Sequence, residues 1–422
     1  MFSALANAWK IPELRKKLLY TLLMIGVFRL GSHIPVPGVD KALLANMFTS
    51  DLFTWMNILS GGSFKSLTVF AMGIIPYINA SIIVQLLTMV VPYFERLAKE
   101  GQEGRKKMTQ WIRYGSVILG AAQALVMSIY LNNAAEPVMI NPGVWSILVC
   151  TIMLTAGTAF LMWLGESITD NGIGNGISLI IFAGIVSRMP SGANTLFQYA
   201  KSGEVSWLVI LLFLVVAAAM IAGIIAVQEA QRRITVQYSK RVVGRKIYGG
   251  QSTHIPMRIN QAGVIPVIFA MALLTFPSII VDLVAKGSAA ADWFARVFNY
   301  SHPVYIILYA LLIFLFTYFY TAATFNTADV ADNMRKNGGF IPGLRPGRPT
   351  AEYLDKVLSR LTFSGATFLT IIALTPYLLM VVSGMNLYFG GTSLLIAVGV
   401  ALDTMKQIES HLLMRHYQGF MK

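Results

Sequence analysis

"GIIPYINA", Gly73 to Ala80, and "GVIPVIFA", Gly263 to Ala270, are the stretches whose reading decides the fold. Each sits in a long apolar run, and each carries Gly and Pro where leucine would hold a helix better. Aligned, Gly73 falls on Gly263, Ile75 on Ile265, Pro76 on Pro266, Ile78 on Ile268 and Ala80 on Ala270. One awkward helix written twice points to two related halves.

The chain around them is 56% hydrophobic and 12% charged over 422 residues, against about 25% charged in an average soluble domain. It reads as an integral membrane protein. A bilayer core about 30 Å thick needs about 20 apolar residues per helix, and ten runs of that order occur: 18–34, 70–91, 111–131, 146–165, 177–189, 205–228, 262–284, 303–325, 362–383 and 387–404. The fifth and tenth are short. With the N-terminus on the inner side, 26 of the 33 Lys and Arg fall inside, six outside, and Arg29 within the first span. That imbalance sets both termini on the cytoplasmic side. Arg29 is expected to snorkel or to pair inside the bundle, a structural role. No small-residue cleavage pattern follows the first run, so the first span is expected to be retained. A lone Cys150 excludes an internal disulfide framework, and His33, His254, His302, His411 and His416 have no metal-ligand spacing.

In this topology spans two and seven run in opposite directions, so the octets form an inverted repeat. The short fifth and tenth spans repeat as well: "GISLIIFAGI", Gly176 to Ile185, matches "GTSLLIAVGV", Gly391 to Val400, at Gly176/Gly391, Ser178/Ser393, Leu179/Leu394, Ile181/Ile396 and Gly184/Gly399. The expected organisation is a cytoplasmic segment 1–17, a first half 18–189, a second half 205–404 with inner loops at 229–261 and 326–361, and a cytoplasmic tail 405–422. Paired, Gly/Pro-interrupted spans in two inverted halves point to a functional centre at mid-membrane. The plainer reading is that Gly and Pro merely kink helices or let them pack closely.

A carrier would place ionisable groups at that centre. Here the matched positions are Ile78, Ile181, Ile268 and Ile396, and helical spacing adds Ile82 and Ile185 one turn along the same faces. A collar of branched apolar side chains can constrict a pore and exclude water and ions by dewetting, or it can simply pack a bundle. Between spans one and two, "FTWMNILSGGSFKSLTVF", Phe53 to Phe70, is too short and polar to span and contains the hinge Gly61-Gly62. A re-entrant half-helix fits it; an amphipathic surface helix competes.

No G-x-x-x-x-G-K-[ST], G-x-S-x-G, H-E-x-x-H or paired-Cys motif is present. "NGIGNG", Asn171 to Gly176, has the look of a phosphate loop without its Lys, and Glu166 and Asp170 nearby would repel phosphate, so it reads as a tight turn. Neither an enzyme nor a bound cofactor is expected. A secondary solute carrier and a structural scaffold are the rival classes, the first requiring an ionisable mid-membrane cluster.

The stretches "GIIPYINASIIVQLL", "RYGSVILGAAQAL", "AFLMWLGESITDNGIGNGISLIIFAGIV", "FNTADVADNMRKNGGFIPGLRPG" and "YFGGTSLLIAVGVALD", with the long run from Val227 to Ala270, resemble the SecY family of protein-conducting channels over roughly residues 10 to 418. The resemblance implies an all-α integral membrane protein of ten transmembrane helices in two inverted five-helix halves with a re-entrant plug helix. It implies a pore ring at Ile78, Ile82, Ile181, Ile185, Ile268 and Ile396, the positions the repeat singles out. The plug falls at about 55–66, with Trp55, Asn57, Ile58, Leu59, Ser60, Gly61, Gly62 and Phe64. A lateral gate lies between spans two and seven, flanked by three and eight, and takes in Pro76, Asn79, Gln85, Gln123, Pro266 and Met271. Family members often carry hydroxyl or amide groups just after the Phe of span seven, where this chain has Met271 and Ala272. The basic loops, with Lys240, Arg241, Arg245, Lys246, Arg345 and Arg348, read in isolation as positive-inside loops. In the family they dock a ribosome or a SecA-type motor ATPase, and dense cationic charge suits a phosphate backbone. Also implied are SecE-like and SecG-like small subunits, secretory preproteins with signal sequences, lateral release into membrane lipid, and a place in the inner membrane of the cell.

Overall fold

Gly73 and Gly263 have φ of 57° and 62°, the left-handed region that glycine enters without a steric penalty. From these two bends the chain enters the helices Ile75–Val90 and Ile265–Val284. Pro76 and Pro266 are second in their helices, where the missing N–H costs nothing because the first turn has no partner for it. The interruption falls at the head of each span: the octet is the start of a helix, and 70–74 and 261–264 before it are turns and bends.

The computed structural model describes residues 9–40, 61–64, 66–133, 138–202, 206–238, 241–243, 246–248, 252–284, 293, 297, 302–383 and 391–419, excepting the side chains of 241–243, 246–248, 275–284, 378, 380–383 and 415–419. In chain order the elements are α1 Pro12–Gly31, α2 Ile75–Val90, α3 Pro92–Lys99, α4 Gly101–Asn132, α5 Val144–Asn171, α6 Gly176–Val186, α7 Met189–Ser202, α8 Trp207–Glu229, β1 Gln231–Tyr238, β2 Arg241–Val243, β3 Lys246–Tyr248, β4 Ser252–Arg258, α9 Ile265–Val284, α10 Pro303–Thr324, α11 Thr327–Lys336, β5 Gly339–Phe340, α12 Arg348–Ser383 and α13 Gly391–Gly419. Among the described residues six helical stretches are long and apolar enough to cross a bilayer, or seven if the bent pair α2–α3 is one span. Trp207–Glu229 is apolar as far as Val227 and mostly exposed; a face so apolar and so open belongs in lipid or against another membrane helix. The molecule is a multi-pass membrane protein.

The chain divides into two compact units, 1–204 with 275–300 and 396–422, and 205–274 with 301–395. In the first, α4 packs along α2 and α5, and α6 lies against α5 and α1. Between α1 and α2 the described residues 61–64, 66–67 and 69–74 are turns and Thr68 forms a bridge with Pro35, yet Ser63, Phe64, Leu67, Thr68 and Ala71 are each 1% exposed. Backbone so deeply placed must satisfy its own polar groups. It does: Thr68 N donates to Ser63 O (3.0 Å), Ala71 N to Thr68 O (2.8 Å), and the segment pairs with 34–36 through Val36 N to Leu67 O and Val69 N to Ile34 O, both 3.0 Å. Phe64, Leu67, Ala71 and Met72 join Ala124, Leu131, Cys150 and Leu154 in one apolar core. At the far end of α2 the chain bends by 99° into α3, an amphipathic helix whose Phe94 meets Trp111 edge-on. Its Lys99 ammonium hydrogen-bonds Glu95 at 2.7 Å and holds that carboxyl below its ordinary range.

In the second unit α8, α10 and α11 pack on α12. The all-helical expectation is corrected here, because a three-stranded sheet in the order β4–β1–β5 and a β2–β3 hairpin interrupt the helices. Antiparallel β1 pairs with β4 (Ile234 opposite Ile255) and with β5 (Gln237 opposite Phe340). Ile234, Val236 and Met257 from the sheet bury against Met334, Ile341, Leu354 and Leu358. One small core thus ties the 229–261 loop to the 326–361 loop.

Candidate functional site

Both repeats recur in the structure as equivalent helix starts. Ile78 and Ile268 are each fourth in their helices, and Ile181 and Ile396 each sixth. In the second pair the opening glycines lie hard against the backbone of the preceding long helix: a Cβ on Gly176 would strike the carbonyl oxygen of Gly165, and one on Gly391 that of Ile372. Ile181, Ile185 and Ile396 are 7%, 6% and 3% exposed; Ile78, Ile82 and Ile268 are half-buried. Five of the six isoleucines belong to the first unit and Ile268 to the second.

Arg29, near the end of α1, does pair inside the bundle, as expected. Its Nη1 donates to Gly61 O (3.3 Å) and to Ser187 Oγ (3.0 Å), while Ser187 Oγ donates to Gly184 O at 2.7 Å. Gly61, at φ 66°, sits so close to α6 that a Cβ there would come within 2.9 Å of Gly184 Cα. The hinge of the expected plug is therefore fastened beside Ile185 of the expected ring. The sequence contained nothing to indicate that contact. Gly62 has φ 94° and Phe64 is buried, and the described end of the plug stretch, Gly61–Phe64, is turn in place of the expected helix. Trp55, Asn57, Ile58, Leu59 and Ser60 lie outside the described residues.

Of the gate residues in the first unit, Pro76 is brought against Gly120 of α4, where an added Cβ would lie 3.6 Å from its ring. Gln85 Nε2 donates to Ser81 Oγ one turn back at 3.3 Å; Asn79 and Gln123 are half-buried. Pro266 and Met271 are buried in the second unit. Of the basic positions, Arg345 is exposed on a tip bent by Gly343 and Gly347, with φ of 84° and 103°. Its carbonyl accepts a bond from Thr350 Oγ1 at 2.9 Å. Arg348 is paired with Glu352 at 3.1 Å, both well exposed, a contact worth well under about 1 kcal/mol. Arg241 and Lys246 lie on the β2–β3 hairpin, and Lys240 and Arg245 lie outside the described residues. A further pair escaped the sequence reading: Arg113 of α4 grips Glu166 of α5 through Nε–Oε1 at 2.9 Å and Nη2–Oε2 at 2.8 Å, the fork geometry that suits guanidinium and carboxylate.

Two units of membrane-crossing helices, with the paired stretches opening their helices in the same way, define a polytopic membrane protein with an internal repeat. The SecY family profile matches residues 68–405. A protein translocase subunit SecY of Halalkalibacterium halodurans is 48% identical over the whole of both chains. Among solved structures, a protein-conducting channel matches with a TM-score of 0.66 at 17% identity, over 94% of this chain and 92% of that one. Sec61 in a canine ribosome-channel complex matches at 0.63 and 16% identity, with the same coverage. The chain belongs to the SecY family.

Proposed function

We propose that the chain is a passive, ring-gated protein-conducting channel of the general secretory pathway. It passes unfolded preproteins across the inner membrane and releases apolar segments sideways into lipid. Ten spans in two inverted halves, with both termini cytoplasmic, suit this reading. The observation that carries it is the in-register recurrence of isoleucine at the fourth and sixth positions of two pairs of helix starts. Branched apolar side chains at a constriction exclude water and ions without binding them, and they yield around a passing polypeptide. Ile78, Ile82, Ile181, Ile185, Ile268 and Ile396 form that gasket; residues 55–66 form the plug beyond it. Pro76, Asn79, Gln85 and Gln123 on one side and Pro266 and Met271 on the other line the seam through which a signal sequence meets lipid. With no nucleotide-binding motif in the chain, the work comes from outside, from a ribosome or a SecA-type motor docked on Lys240, Arg241, Arg245, Lys246, Arg345 and Arg348. The ribosome-bound Sec61 neighbour supports that assignment. SecE-like and SecG-like subunits complete the assembly.

The test is photocrosslinking from a reactive group at Ile268 to a secretory chain stalled midway through transport, with Leu214 of α8 as control. Crosslinks from position 268 and none from 214 are expected. A stalled chain that engages the assembly yet touches neither position takes another route, and the collar is then packing alone.

A further inference from the structure

The turn Asn171 to Gly176 has the run of backbone N–H donors with which a phosphate loop holds its anion, but here side-chain oxygens fill them. Ile173 N donates to Thr21 Oγ1 of α1 at 3.0 Å, Gly174 N to Gln407 Oε1 of α13 at 2.8 Å, and Gly176 N to Thr169 Oγ1 of α5 at 2.9 Å. Asn175 Oδ1 caps α6 by accepting from Ser178 N at 3.2 Å. Gly174 has φ 88°, and a Cβ there would lie 2.9 Å from Leu179 Cδ1 and 3.2 Å from Thr404 Oγ1. Around the turn Ile173 is buried with Leu14 of α1 and Ile408 of α13. Four helices of one unit meet at this turn, and two of them carry isoleucines of the proposed ring.

The spacing along those two helices is matched. Ile185 follows Gly174 by 11 residues, and Ile396 precedes Gln407 by 11. At 1.5 Å of rise per residue Ile396 stands about 16 Å from Gln407, and Ile185 about 14 Å from Gly176, which opens α6 two residues after Gly174. Apolar contact is non-directional and gives α13 its register by steric fit alone. A directional bond from a fixed N–H adds a preferred position to that fit.

We infer that the turn is a register clamp for the ring, in which Thr21 and Gln407 are positioning residues that hold Ile396 level with Ile185. The inference rests on the reading of those isoleucines as the ring. Thr21, 7% exposed, fixes the turn to α1. Gln407, whose side chain is exposed, is the contact through which displacement of α13 shifts the collar. A slip of one residue offsets the two isoleucines by about 1.5 Å.

The experiment uses the full chain assembled with its small subunits in lipid vesicles, and it reads resting ion leak, transport of a preprotein with a weakened signal, and amide exchange over 172–178. Gln407→Met keeps length and loses the acceptor, whereas Gln407→Glu keeps an acceptor oxygen; Thr21→Val and Thr21→Ser form the same contrast. Ile396→Asn reports on the ring itself. Several-fold increases in leak and in weak-signal transport are expected for Gln407→Met, Thr21→Val and Ile396→Asn, with faster exchange over 172–178 in the first two. The Glu and Ser variants should remain within about twofold of the parent. Leak in Ile396→Asn with none in Gln407→Met overturns the clamp and leaves the ring standing, even if Gln407→Met melts earlier. Equal leak in Gln407→Met and Gln407→Glu also overturns it, since the bond is then not the cause. Tightness in all variants, Ile396→Asn included, removes the ring and the clamp together. Should Thr21→Val fold poorly, the exposed Gln407 pair decides.

Discussion

Arg29, near the end of α1, gives Nη1 to Gly61 O and Ser187 Oγ. Hydrogen bonds from a charged donor are worth about 1.5–3 kcal/mol each when broken one-sidedly. Arg29→Met should therefore loosen the Gly61 hinge and raise resting ion leak. In a double-mutant cycle with Ser187→Ala the effects should be less than additive, because both changes break the same bond. Additive effects would mean that Arg29 acts elsewhere. At Gly391 a methyl group meets the Ile372 carbonyl, so Gly391→Ala should cost roughly 1–3 kcal/mol in thermal unfolding, as overpacking does. Gly26, in mid-α1 with nothing within 4 Å of an added Cβ, is the control. Gly26→Ala should be neutral or stabilising by up to about 1 kcal/mol.

At the scale of elements, the repeated octet separates two physical roles. Gly73 supplies a left-handed bend, so Gly73→Ala should cost about 1–2 kcal/mol. Pro76→Ala loses only the chain stiffness of proline, about 0.4–1 kcal/mol. A proline kinking the middle of a span would give the opposite ranking. Thermal unfolding of the two variants decides. The sequence made the pairing legible, because identical residues recur in order, but it did not show that the octet opens a helix, since apolar residues continue on both sides. β1 was legible in principle: "QRRITVQY" alternates Ile234 and Val236, both buried, with polar residues facing out. Its arginines drew it into the reading of a basic loop. β5, two residues long, left no pattern to find. Ile341→Ala in the shared core should cost about 2–5 kcal/mol and open β1 and β4 to protease; resistance equal to the parent would mean that the sheet does not hold the two loops together.

For the whole molecule, the legible part of the proposed site was what repetition repeats, Ile78, Ile181, Ile268 and Ile396, with Ile82 and Ile185 added by helical spacing. The Arg29–Gly61, Thr21–Ile173 and Gly174–Gln407 bonds join residues 32, 152 and 233 positions apart, and no local spacing encodes such contacts. The basic loops carry a prediction at this scale. Because β1 and β5 share one sheet, Arg345 and the β2–β3 hairpin are anchored to the same core. Arg345→Glu should impair ribosome- or motor-driven transport most at low salt, where a phosphate contact is least screened, and the deficit against the parent should shrink as salt rises, while insertion of the chain stays normal. A variant that transports as well as the parent at low salt would return the tip to an ordinary solvated loop.

The 233 residues between Gly174 and Gln407 are also an interval of time. At about 5–20 residues per second of synthesis, the Gly174 N–H waits roughly 12–47 seconds for its acceptor, long after α6 has left the ribosome. A nascent copy holds α6 in the bilayer with one side of the clamp empty. If the clamp sets the ring, the seal is completed only once α13 is made, and a chain cut short before Gln407 is a pore without its register.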